Sequence, residues 1–141
     1  MPFSIKKGQV LQERYRIKEK IGEGGMSLVY LAEDEDQKKK VAIKFLKPGI
    51  TSSYVEDVIR FKKEVELVSK LDHPGIIRSF GTGEFENVPY IVTELLEGET
   101  LAELIRKKSF KTEETLLIVH QVTEALSYVH SRGIIHRDIK P

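Results

Sequence analysis

Ile21-Gly22-Glu23-Gly24-Gly25-Met26-Ser27-Leu28-Val29-Tyr30, followed after a charged break by Val41-Ala42-Ile43-Lys44, is the stretch on which the reading of the fold turns. Just upstream, Tyr15-Arg16-Ile17-Lys18 alternates apolar and polar residues, as a strand with one buried face does. Leu28 to Ala32 reads as a second strand and Val41 to Leu46 as a third, with the polar run from Asp34 to Lys40 as the turn between them. Gly22 and Gly24 let the backbone approach a ligand with no Cβ in the way. Lys44, at the end of an apolar strand, sets one ammonium near that approach. A dinucleotide-binding turn requires a helix directly after its glycines. Here β-branched and aromatic residues follow, then another strand, so that reading fails. Taken alone, the stretch leaves a phosphate-gripping hairpin or an ordinary hairpin with a solvated lysine.

A chain of 141 residues can form one domain with a real core, or two small lobes. Its 23 lysines and arginines face 22 acidic residues, for a net charge of +1. No basic excess is available to steer nucleic acid or an anionic membrane toward it. Cysteine is absent, which excludes disulfides and thiolate metal sites. No apolar run reaches transmembrane length, and the N-terminus lacks the apolar core of a signal peptide. The expectation is a soluble, cytoplasmic protein with no nucleic-acid partner, no membrane partner in this segment and no metal held by its own side chains. There is no internal repeat or low-complexity segment.

Residues 1–12 form a polar lead-in, either a tail or a short edge strand. Lys47-Pro48-Gly49 breaks the third strand, and Thr51-Ser52-Ser53 offers helix caps. From Val55 to Leu71 the apolar residues Val58, Phe61, Val65, Val68 and Leu71 recur at helical spacing. Glu64 falls along the same side and admits two readings. It pairs with Lys44, because an unpaired buried carboxylate is costly, or it joins a solvated face with Lys62, Lys63 and Glu66. Asp72-His73-Pro74-Gly75 ends the helix, with His73 as a turn residue. Ile76 and Ile77 open a fourth strand, Gly81 to Asn87 reads as a turn, and Pro89 to Thr93 forms a fifth strand. Thr100 caps a short helix carrying Leu101, Leu104 and Ile105. Thr112 caps a longer one, with Glu113 and Glu114 in its first turn. Its stripe is Ile118, Val119, Val122, Ala125, Leu126 and Val129, and Arg132-Gly133 is the stop signal. His120 and His130 are surface or packing residues, since no second metal-type residue sits at a useful spacing.

The chain closes with Ile134-Ile135-His136-Arg137-Asp138-Ile139-Lys140-Pro141. The glycine turn, Val-Ala-Ile-Lys, a helix glutamate and His-Arg-Asp in this order resemble the protein kinase family over essentially the whole chain. The turn Gly-Glu-Gly-Gly-Met-Ser is closest in flavour to bacterial-type serine/threonine kinases. The resemblance implies an α+β fold. A kinase-like N-lobe of a five-stranded antiparallel sheet plus one helix would occupy 13–93, and a hinge would occupy 94–99. The first helices of a C-lobe would fill 100–141, truncated after His-Arg-Asp. By the same resemblance, Lys44 and Glu64 pair to position the α- and β-phosphates of ATP. Asp138 accepts the proton of the substrate hydroxyl, and Lys140 neutralises charge on the transferred phosphate. Arg137 matches the subset controlled through the activation loop, and His136 is a packing residue. Ile21, Gly22, Glu23, Gly24, Gly25, Met26, Ser27, Leu28 and Val29 would lie along the nucleotide. Val29 and Ala42 would cover one face of the base, Thr93 would stand at the back of the pocket, and the backbone of Glu94 and Leu96 would meet the adenine edge.

Two departures bear on function. Ser27 replaces the third glycine of the turn, and its hydroxyl can donate to a phosphate. The catalytic-loop asparagine and the Asp-Phe-Gly segment, which hold Mg²⁺ in the family, would lie beyond the chain end. The parent protein is therefore expected to be an ATP- and Mg²⁺-dependent serine/threonine kinase acting on protein substrates, and the 141-residue piece to transfer little phosphate alone. Its 112–132 helix, lacking the rest of the lobe, would expose Val119, Val122, Leu126 and Val129 and drive self-association. A pseudokinase-like module that holds nucleotide or a partner without catalysis is the competing reading. It has no need of Lys44, Glu64, Asp138 and Lys140 together. A kinase-like small-molecule phosphotransferase fits less well, because those depart from His-Arg-Asp-x-Lys-Pro.

Overall fold

Period-two burial builds the sheet. Along Ser27–Asp34 every second residue is buried, and Lys39–Leu46 buries Val41, Ile43 and Phe45 in the same way. The computed structural model describes residues 3–49, 53–136 and 139–141. Its strands are β1 Val10–Leu11, β2 Tyr15–Glu23, β3 Ser27–Asp34, β4 Lys39–Leu46, β5 Ser79–Phe85 and β6 Val88–Glu94. They form one antiparallel sheet in the order β1-β2-β3-β4-β6-β5. The helices are α1 Tyr54–Val68, α2 Leu101–Lys107 and α3 Thr112–His130. The chain divides into two compact units, 1–70 with 78–95 and 71–77 with 96–141. The first carries the whole sheet and α1, the second α2 and α3.

The expected five strands and one helix are present in the first unit, with β1 as an added sixth strand. The lead-in is neither a free tail nor only an edge. Ile5 and Leu11 are buried in the same cluster as Tyr30, Ile43, Phe45, Tyr90 and Val92, with Phe3 packed against it. The Phe45 ring lies 5.5 Å from Phe3, 5.8 Å from Tyr30 and 5.0 Å from Tyr90, within the range of favourable aromatic packing. The N-terminal segment therefore covers one face of the sheet.

The fourth strand lies further on than its apolar pair suggests. Ile76 and Ile77 are outside any strand, and β5 instead runs through Gly81 and Gly83. At Gly83 a close approach leaves no room for a side chain. A Cβ on Gly83 would sit 2.4 Å from the buried Tyr90 ring. The actual turn is two residues, Glu86 and Asn87, both at positive φ, as a tight hairpin requires.

α1 buries the predicted stripe in part: Val65 is buried, and Val58, Phe61 and Val68 are half-buried. It starts at Tyr54 and ends at Val68, short of Leu71. Ser53 makes no side-chain cap bond, and Thr51 and Ser52 lie outside the described residues. α2 has the expected cap. The Thr100 hydroxyl accepts from the Glu103 N–H, and the Glu103 carboxylate accepts from the Thr100 N–H. In α3 the expected cap is displaced by one residue. Lys111 occupies the N-cap, Thr112 is the first helical residue, and the Glu114 carboxylate accepts from the Lys111 N–H at 2.9 Å. Gly133, at φ +73°, turns the chain out of α3.

The α3 stripe is exposed only in part. Val119 and Val122 are exposed, as are Leu116 and Leu117, while Leu126 is half-buried and Val129 is buried. In the second unit the Tyr128 hydroxyl accepts from the Asp72 N–H at 2.9 Å, and its ring lies 5.0 Å from that of His73. His73 Nδ1 accepts from the Gly75 N–H, so this histidine does serve a turn.

Asp34, fully buried at the end of β3, anchors the β3–β4 turn. Arg14 Nε and Nη2 donate to its two oxygens at 2.8 and 2.7 Å, and the Asp36 and Gln37 N–H groups donate to Oδ1. The Arg14 hydrogen bond comes first among the causes that hold this carboxyl at about 2, against an ordinary 3.8. A depressed folded-state pKa means that the contribution is complete above the unfolded value and lost as pH falls toward the folded one. Wild type should therefore melt well above Asp34→Asn at neutral pH, with the gap closing between about pH 4 and pH 2. Melting curves across that range check it. A constant gap would show that the charge contributes nothing.

Candidate nucleotide-binding site

Directly opposed residues in an antiparallel ladder share a face of the sheet. One row across the first unit reads Gly22, Val29, Lys44, Ile91, and the next reads Leu31, Ala42, Thr93, Ser79. The candidate residues Gly22, Val29, Ala42, Lys44 and Thr93 thus lie together on one face. The aromatic cluster and N-terminal segment occupy the other. On the candidate face Val29, Ala42 and Thr93 are half-buried, and the Lys44 side chain is exposed. The apolar residues present a flat, partly covered surface, and the ammonium stands at its side.

The glycine turn closes this face at one edge. The Gly24 N–H donates to the Ser27 carbonyl at 2.9 Å, and a Cβ on Gly25 would meet nothing. The turn is open enough for a phosphate to approach its backbone. Ile21 and Met26 are exposed, and Ser27 is half-buried on β3. Two residues expected along the nucleotide face the other way. The register pairs Glu23 with Leu28 and Leu28 with Phe45, which places both on the aromatic side, and Leu28 is buried there. The period of two forces this once Val29 faces the candidate side.

Glu23 is held by two lysines absent from the sequence expectations. Lys20 Nζ donates to Oε2 at 2.8 Å and Lys47 Nζ donates to Oε1 at 2.5 Å. These bonds, Lys20 first, hold the Glu23 carboxyl at about 2, against an ordinary 4.5. Lys20 is legible as an i,i+3 neighbour, whereas nothing in the sequence marks Lys47.

The expected Lys44–Glu64 ion pair is not formed: among the described residues no ion pair joins the two, and both side chains are exposed. Helical geometry explains the position of Glu64. At 3.6 residues per turn it lies roughly 80° from the centre of the stripe made by Val58, Phe61, Val65 and Val68. α1 is held instead by Lys62, whose Nζ donates to Glu84 on β5 at 2.9 Å. Beside that bond lies a cleft of about 470 Å³ between α1 and the β5–β6 hairpin, lined by Phe61, Val65, Gly83, Pro89 and Tyr90 among others. None of the candidate nucleotide residues lines it.

At the end of β6 the Glu94 N–H donates to the Arg78 carbonyl at 2.9 Å, and its carboxylate accepts from the Arg78 N–H. Of the Glu94 backbone groups, the carbonyl is the one left to face a ligand, and the Thr93 hydroxyl donates to it at 3.2 Å. Leu96, in the second unit, is exposed. Arg137 and Asp138 lie outside the described residues, and Lys140 is exposed. Among the described residues no cluster of three or more histidine or acidic side chains is placed to hold a metal ion. None of their helices is long and apolar enough to cross a membrane.

The model of the protein kinase domain matches residues 15–141. The serine/threonine-protein kinase PrkC of Bacillus subtilis is 41% identical over 135 residues, covering 95% of this chain and 21% of PrkC. PknB of Mycobacterium tuberculosis, also named a serine/threonine-protein kinase, is 35% identical over 136 residues, covering 93% of the chain and 22% of PknB. The chain thus spans about a fifth of the length of these curated relatives. Among solved structures, the Mycobacterium tuberculosis PknI kinase domain superposes with a TM-score of 0.84 at 28% identity, covering 98% of this chain and 55% of that one. The sheet with its candidate face and glycine turn, and these matches across nearly every residue, lead to one assignment: the chain belongs to the protein kinase family, in its bacterial serine/threonine branch.

Proposed function

We propose that the protein carrying this chain transfers the γ-phosphoryl group of ATP to serine or threonine hydroxyls of other proteins, and that this chain supplies its nucleotide grip. The observation that carries the reading is the single sheet face shared by Val29, Ala42, Lys44 and Thr93, with an open glycine turn at its edge. Val29 and Ala42 offer apolar cover to a flat base, and Thr93 leaves room beside it. The Glu94 carbonyl can accept from an exocyclic amine, while Lys44 and the turn amides face phosphate oxygens. These residues fit ATP. Mg²⁺, which neutralises phosphate charge in such transfers when bound, has no cluster of three acidic or histidine side chains to hold it among the described residues.

The family resemblance gives Asp138 the role of proton acceptor and Lys140 that of neutralising charge on the transferred phosphate. Charge neutralisation supplies much of the acceleration in phosphoryl transfer. A polypeptide of these 141 residues, which contains no Asp-Phe-Gly, should therefore bind ATP but turn it over slowly. The separation of Lys44 from Glu64 favours a second reading, in which nucleotide is held without catalysis. A labelled-ATP assay of the complete protein with protein and small-molecule acceptors separates the two. Label appearing on serine or threonine of a protein acceptor, and lost in Asp138→Asn, supports the kinase. ATP binding with no label transferred supports the second reading, and absence of ATP binding removes both.

A further inference from the structure

Three ties meet at the glycine turn, and the resemblance to kinases accounts for none of them. The Lys47 N–H donates to the Met26 carbonyl at 2.9 Å, fastening the tip of the turn to the segment that follows β4. The Lys47 ammonium, from the same residue, reaches the Glu23 carboxylate at 2.5 Å. Lys20, three residues back on β2, takes the other carboxylate oxygen at 2.8 Å. All three side chains sit at the aromatic side of the sheet. Glu23 opposes Leu28, Lys20 opposes Tyr30, and Lys47 continues the alternation of Ile43 and Phe45. Lys44, Val29 and Gly22 lie on the other side. The carboxylate therefore works from behind the site and does not touch what binds there.

From this geometry we propose that Glu23 is a positioning residue, whose carboxylate draws Lys20 and Lys47 together to hold the Gly24–Ser27 turn in its nucleotide-binding shape; this rests on the nucleotide reading above. Two consecutive glycines give the turn many conformations besides the one seen. A site that is competent only part of the time binds more weakly in proportion to that fraction. Exposed ion pairs add little to global stability, so the effect is local to the turn. The sign of the effect discriminates. If Glu23 were only an anion near the triphosphate, removing its charge would tighten binding. As a clamp, its removal weakens binding.

The test is titration of a fluorescent ATP analogue into the 141-residue chain, beside Glu23→Gln, Lys47→Gln and the charge exchange Glu23→Lys with Lys20→Glu and Lys47→Glu, which keeps both ion pairs with reversed sign. Hydrogen exchange of the Lys47 amide is followed in each. The single variants are expected to bind about fivefold or more weakly, with faster Lys47 exchange and an unchanged melting temperature. The charge exchange should restore both affinity and protection. Unchanged or tighter binding in Glu23→Gln, or a charge exchange no better than the single variants, overturns the proposal. If the wild-type chain binds no nucleotide, the nucleotide reading fails by itself. Lys47 exchange then decides the clamp: faster exchange in Glu23→Gln supports it, and an unchanged rate removes it.

Discussion

Lys44→Met in the complete protein is expected to lower phosphoryl transfer about 100- to 1,000-fold, the scale on which removing one preorganised charge partner acts, while leaving the melting temperature essentially unchanged. The two halves of this expectation come from different features of β4. Ile43 and Phe45, on either side of Lys44, are fully buried on the aromatic face and fix the strand. Lys44 projects to the opposite face, exposed and in no ion pair with Glu64 among the described residues. Methionine keeps the length and apolar stem of the side chain and removes only the ammonium. Initial rates with labelled ATP, together with thermal melts of both proteins, test it. Retention of most of the activity would remove Lys44 from the site, and a large fall in melting temperature would show a structural role.

Phe45→Ala should have the largest effect on stability. Phe45 is fully buried and packs against the rings of Phe3, Tyr30 and Tyr90, so truncation leaves a cavity bounded by three separate segments of the chain. Deleting a buried phenylalanine costs about 3–5 kcal/mol, against a total of about 5–15 kcal/mol for a typical domain. Urea unfolding should show a much lower midpoint, or no folded baseline. Phe45→Leu, which refills part of the volume, should recover most of the loss. A midpoint for Phe45→Ala close to wild type would mean that the aromatic cluster is not the core of this unit.

Much of the candidate site was legible because it rests on alternation. In β3 the period of two is unbroken and in β4 it holds from Lys40 to Phe45, so alternation puts Ala42 and Lys44 on one side. The β3–β4 register adds Val29, which the family resemblance had implied. The same rule turns Leu28 and Glu23 away, a consequence hidden when the glycine stretch is read as one block. Other features depend on contacts between distant segments. Gly83 looks like a turn residue until Tyr90 fills the space where its Cβ would go. The role of Lys47 depends on the β4–α1 connection returning to the tip of the glycine turn. Glu64 was ambiguous in the sequence because it sits at the flank of its helix, where a small rotation decides between the interior and solvent.

The N-terminal segment has a consequence for where this folding unit begins. The kinase-domain model matches from Tyr15 onward, yet Ile5 and Leu11 lie in the same apolar cluster as Phe45. A polypeptide started at Tyr15 would leave Tyr30, Phe45 and Tyr90 facing water on one flank, while every residue proposed to meet ATP was still present. The family model and the packing draw different borders here, and the segment from Phe3 to Leu11 belongs to the fold on packing grounds.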